Sequence, residues 1–119
     1  MANPNIVNVV SIFGKTSVLS VTTQASNIVV NTSNSNTVVK INTLVAANIN
    51  GTNAADFTAS LFRSNVDYPV ASTISVPADA SLVVLSKDTA LYLEEGDSIR
   101  CLASSSGNIV AVCSYEIIG

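Results

Sequence analysis

The densest potential chemistry in the chain is the stretch Leu91–Arg100, LYLEEGDSIR, where Glu94, Glu95 and Asp97 surround Gly96. Three carboxylates within four residues could hold a cation or share a proton in acid–base work. Proton sharing needs two facing carboxyl groups, and adjacent Glu94 and Glu95 diverge on an extended chain. Asp97 can meet Glu95 only through a tight turn at Gly96. A calcium site takes about six to eight oxygens, and the DxDxDG spacing of an EF-hand is missing. The expected role is a solvated turn in which Gly96 adopts a positive φ and Asp97 accepts from neighbouring backbone N–H groups. A weak calcium site is the alternative.

Cys101 and Cys113 are the second candidates. The segments 97–104 (DSIRCLAS) and 108–118 (NIVAVCSYEII) flank SSG at 105–107 and predict a terminal hairpin. A register centred on Gly107 sets Cys101 opposite Cys113, Ile99 opposite Tyr115 and Ala103 opposite Ala111. All six would then share a core face. Arg100 and Glu116 become diagonal neighbours on the other face and form a surface ion pair. Opposed strand residues lie within disulfide reach, but a chain folding in a reducing compartment keeps its thiols free. Two buried thiols are expected, with a cross-strand disulfide as the alternative. Zinc would need further thiol or histidine ligands, and the sequence has two Cys and no His.

Without histidine, neither a Ser-His-Asp nor a Cys-His arrangement can be built. Ser86-Lys87 is a dipeptide at a strand end, so its two side chains would point to opposite faces. No Walker-type loop or GxGxxG occurs. No catalytic, cofactor-binding or metal-ligating residue is assigned, no cofactor is expected, and the chain is not expected to be an enzyme.

The elements that would carry these residues are strands. Period-two alternation rich in Val, Ile and Thr recurs, while helical periodicity is absent. Strands are predicted over 5–13, 16–23, 27–32, 37–49, 55–64, 67–76, 81–86, 90–93, 97–104 and 108–118. Turns are expected at Gly14-Lys15, 33–36 (SNSN), 50–53 (NGTN), 76–79 (VPAD) and Lys87-Asp88. Asn50-Gly51 is the strongest hairpin signal, 37–49 reads as a sheet-central strand, and Pro69 suits an edge strand. The 119 residues therefore predict a single all-β domain over 1–119, an antiparallel β-sandwich of jelly-roll or immunoglobulin-like type. Residues 1–5, MANPN, are a candidate extended arm reaching a neighbouring subunit.

Charge narrows the partners. Only 11% of residues are charged against 48% hydrophobic, and the net charge is −3. The five cations, Lys15, Lys40, Lys87, Arg63 and Arg100, are scattered, so no nucleic-acid partner is expected. No apolar run approaches a membrane span and the N-terminus lacks a secretory pattern, so a cytosolic start near Met1 is expected, with no membrane partner. A surface so poor in charge is weakly protected against association, which points to coverage by partners.

The order of motifs carries a resemblance. The opening IFGKTSVLSVTT (12–23), the block INTLVAANINGTNAADFTASLFRS (41–64) and the long closing block 76–118 follow one sequence of features. An N-G-T turn leads to V-P-A, L-V-V-L, L-x-x-G-D-S-I and a terminal S-Y-E-I. This resembles small β-sandwich virion proteins of tailed bacteriophages, of the cyanophage-like kind, over nearly the whole chain. The resemblance implies a non-enzymatic structural role as an accessory or decoration subunit of head, neck or tail. It implies other virion proteins (capsid, neck or tail subunits) as partners, a homo-oligomer, and localisation in the virion after assembly in the host cytoplasm. The alternative is a glycan- or receptor-binding module of a tail or fibre, for which Tyr68, Tyr92, Tyr115 and three Phe would supply the stacking surfaces in the absence of Trp. An immunoglobulin-like adhesion domain of a cell would need a secretory signal.

Overall fold

A computed structural model describes residues 12–89 and 91–119. The expected MANPN arm and most of the strand predicted over 5–13 lie outside them. Nine strands occur among the described residues: β1 (Ile12–Val21), β2 (Ser26–Val30), β3 (Val38–Asn48), β4 (Ala55–Arg63), β5 (Val66–Val76), β6 (Ser81–Leu85), β7 (Leu91–Leu93), β8 (Ser98–Ala103) and β9 (Ile109–Ile118). One sheet runs β1-β9-β3-β6 with β7 also paired to β3, and the other runs β2-β8-β4-β5. All pairings are antiparallel. Since β6 and β7 occupy successive lengths of the same edge of β3, each sheet has four strand positions. Most connections cross from one sheet to the other, which is the winding of a jelly roll.

Alternation along each strand decides what faces inward. From β3 come Val39, Ile41, Leu44 and Ala46; from β9, Ile109, Ala111 and Cys113; and all are buried. The opposite wall supplies Phe57 and Ala59 of β4 with Ile99, Cys101 and Ala103 of β8. Bulky and small side chains thus alternate between the walls and fill the inner space.

Three local expectations give way to this topology. Gly14-Lys15 does not end a strand, because β1 runs straight through it in register with β9 from Ile12↔Ile118 to Val21↔Ile109. Asn50-Gly51 is not a hairpin: β3 and β4 belong to different sheets, and the segment arches between them. The two-residue hairpin lies at Ser64-Asn65, both at positive φ (53° and 62°) as a type I′ turn requires, between the paired residues Arg63 and Val66. The segment after β8 likewise arches, so β8 and β9 are not hydrogen-bonded neighbours. Pro69 does lie on an edge strand, β5, and β3 is sheet-central.

Candidate functional site

The LYLEEGDSIR stretch leaves β7 at Leu93, turns through Glu94–Asp97 and begins β8 at Ser98. Gly96 takes φ +89°, and Asp97 closes the turn by accepting from the Glu94 N–H at 2.8 Å while its own N–H donates to the Glu94 carbonyl. The turn is not solvated as expected, since Asp97 is 2% and Glu95 7% exposed. The reason is tertiary. Arg63, at the end of β4, grips Asp97 through Nε (2.9 Å) and Nη2 (2.5 Å), and Nη2 also reaches Glu94 Oε2 at 2.8 Å. Hydrogen bonding to Asp97 holds the Arg63 guanidinium still more firmly protonated. Glu95 turns the other way and accepts from the Asn36 N–H at 2.7 Å.

Asn31, just past β2, completes the knot. Its Nδ2 donates to the carbonyls of Thr37 and Leu93, both at 3.0 Å, and its backbone exchanges hydrogen bonds with Gly96 and Asp97. Neither Arg63 nor Asn31 stood out in the sequence reading. A signal for Arg63 was nevertheless present: it is one of only two arginines in the chain and ends a strand, while three carboxylates cluster elsewhere in the sequence.

A cavity of about 260 Å³ opens here, lined by Arg63, Ser64, Glu94, Glu95, Gly96 and Asp97. Its carboxylates are already engaged, Glu94 by Arg63. Asp97 already serves a guanidinium and a backbone N–H, and Glu95 serves another backbone N–H. Among the described residues no group of three or more Cys, Asp or Glu converges as metal ligands. What this arrangement does chemically is to tie three chain segments together.

The thiols do not form the expected hairpin pair. Cys101 lies on β8 beside Ser26 and Ala59, Cys113 on β9 between Ser17 and Leu44, in opposite sheets. Both face the common core, as do Ile99, Ala103 and Ala111, but from two walls. Both are free and buried. Burial, and secondarily the neighbouring Cys113, pushes the Cys101 thiol up to about 12, and burial pushes Cys113 up to about 11. Thiols so strongly protonated are poor nucleophiles and poor ligands. Arg100 and Glu116 are likewise separated between the sheets. Arg100 stacks 4.4 Å from the Phe62 ring centroid and pairs with Asp67 at 3.6 Å, whereas Glu116 accepts from Asn42 Nδ2.

The outside of the molecule is unusual in a different way. On the outer face of the β1-β9-β3-β6 sheet, Val18, Val112, Val45 and Val83 stand in one row, each in register with the next. Val18 and Val83 are 66% and 62% exposed. Edge strand β5 shows Val66, Tyr68, Val70 and Ile74 to solvent, and Ile12, Phe13 and Tyr92 are exposed as well. Contiguous apolar rows of this kind mark interaction surfaces.

No protein-family model and no curated protein matches the chain. Among solved structures it is similar to a chain from Bacillus endospore appendages, described as a novel family of disulfide-linked pili. Identity is 12% and the TM-score 0.49, over 99% of this chain and 95% of that one. A likeness at that level carries neither fold nor function to this chain.

Proposed function

We propose that the protein is a non-enzymatic structural subunit of a tailed-phage virion. In this reading it is an accessory or decoration component of head, neck or tail that binds other virion proteins in symmetric copies. The observation that carries the assembly part is the valine row Val18–Val112–Val45–Val83, exposed on a domain whose own core is already filled. The phage part rests on the motif order, from IFGKTSVLSVTT through L-x-x-G-D-S-I to S-Y-E-I. The absence of chemistry is supported by a sequence without His and by carboxylates committed to Arg63 and backbone N–H groups. Mass spectrometry of purified virions of the phage that encodes the chain tests it: the chain is expected at a fixed stoichiometry, and virions that lack it sink the proposal.

A glycan-binding reading is favoured by one observation, the exposure of Tyr68 and Tyr92 at 53% and 52%. They lie on β5 and β7, in different sheets, so they would serve two separate stacking sites rather than one. Binding to host-surface polysaccharide that Tyr68→Ala or Tyr92→Ala abolishes would put this reading first.

A further inference from the structure

The valine face has a pattern that selects its occupant. Two residues at a time along the strands, the outer face presents successive levels across β1, β9, β3 and then β6 or β7. One level is Val18, Val112, Val45, Val83, and a second is Gly14, Glu116, Lys40, Tyr92. Between them lies a level of hydroxyls, Thr16, Ser114 and Thr43. Lys40 and Glu116 are the charges of this face, they sit side by side, and neither forms an ion pair among the described residues.

We propose that this face binds the same face of a second copy, through a twofold axis lying along the strands midway between β9 and β3. Such an axis exchanges β9 with β3 and β1 with β6 and β7 while keeping each level opposite itself. The valine level then meets its own reverse, Val112 against Val45 of the second copy and Val18 against Val83. The charged level meets its reverse too, so each Glu116 faces a Lys40 and each Lys40 a Glu116. Tyr92, half exposed, falls opposite Gly14 of the second copy, where the space beside the backbone is open. Any other pairing of two such faces would set like charges together or leave one pair unmatched, and like charges across an interface are strongly disfavoured.

The size is adequate. Four strands about 4.8 Å apart, over about nine residues at roughly 3.3 Å each, cover on the order of 500 Å² per copy. Two copies thus bury about 1,000 Å², the level at which a complementary interface becomes specific. Packed sheets cross at about 30°, an offset the long Lys40 and Glu116 side chains can span.

This inference rests on the symmetric-copies part of the proposed function and not on its virion part. Sedimentation equilibrium of the purified full chain tests it, so a monomeric result and absence from virions are separate failures. Wild type is expected at twice the 12.3 kDa chain mass, and Val112→Lys at the monomer mass. Lys40→Glu and Glu116→Lys should each weaken self-association about tenfold or more. An equimolar mixture of those two variants should form mixed dimers at near wild-type affinity, because every facing pair is again opposite in charge. Recovery in the mixture also shows that both variants are folded. A monomeric wild type would overturn the proposal and leave the face to a different protein. A dimer that survives Val112→Lys, or a mixture no tighter than its components, would overturn it too.

Discussion

At one end of the sandwich Asn31 latches a sheet-crossing connection, and at the other end Asn48 does the same work in a different electrostatic setting. Asn31 donates both Nδ2 hydrogens to carbonyls, of Thr37 and Leu93, and Asn48 donates both of its own to carbonyls of Asn53 and Val76. Each is almost fully buried. Around Asn48 the side chains that hydrogen-bond are neutral: its Oδ1 accepts from the Asn50 N–H, Asn50 in turn caps Thr52 and Asn53, and Asp79 joins through its backbone N–H to the Asn50 carbonyl. Around Asn31 the neighbours are the Arg63–Asp97–Glu94 cluster. A short amide suffices where the connection is tied only to backbone carbonyls, its own at Asn53 and that of Val76 at the end of β5. Charge is added where the β4–β5 hairpin must also be fastened to the turn before β8.

The difference can be broken most forcefully at Asp97. Asp97→Ala leaves Arg63 without its main acceptor and the Glu94 N–H unsatisfied. Because Arg63 is itself partly exposed, the loss should be about 2–4 kcal/mol, below that of a fully buried pair. Urea unfolding measures it, and a loss under about 1 kcal/mol would mean the charges are decoration. Next come the two amides. Asn31→Ala and Asn48→Ala should each remove about 2 kcal/mol, since each strands two buried carbonyls. Added salt should leave the Asn48→Ala difference unchanged, and a strong salt dependence there would contradict the neutral description of that end.

The glycine turns sharpen the comparison further. Gly96 and Gly107, at the charged and the neutral end, have φ of +89° and +82°, and a Cβ on either meets no close contact. Each Gly→Ala should therefore cost a similar amount, about 1 kcal/mol of backbone strain, measured by thermal unfolding. Unequal losses would show that the ends differ in shape as well as in charge.

The smallest effect at neutral pH comes from the belt between the ends. Folding raises the thiol pKa from an ordinary 9.0 to about 12 at Cys101 and to about 11 at Cys113. The folded protein therefore holds these protons longer than the unfolded chain. Their contribution is complete below about pH 9 and is lost as pH rises through about 11 to 12. Alkaline titration of stability should show that decline, and Cys101→Ala should flatten it. A wild type as stable at pH 11 as at pH 8 would contradict the burial of the thiols.

What the sequence determined by itself was local: not the continuity of β1 through Gly14-Lys15 or the hairpin at Ser64-Asn65, but which stretches are strands and where most of them begin and end. Period-two alternation of branched residues fixes these, because side-chain direction alternates whatever the strand pairs with. Thus β2, β3, β5 and β9 were legible nearly to the residue, and so was the positive φ of Gly96. What the tertiary structure alone decided was partnership. A short polar loop serves equally well for a hairpin and for an arch between sheets. The segment 104–108 therefore could not reveal that Cys101 and Cys113 face each other from opposite walls. The same ambiguity hid the fate of LYLEEGDSIR. Its carboxylates look wet in one dimension, yet Asp97 is buried because β4 delivers Arg63 from 34 positions away in the chain, and Glu95 is buried where it turns onto the Asn36 N–H.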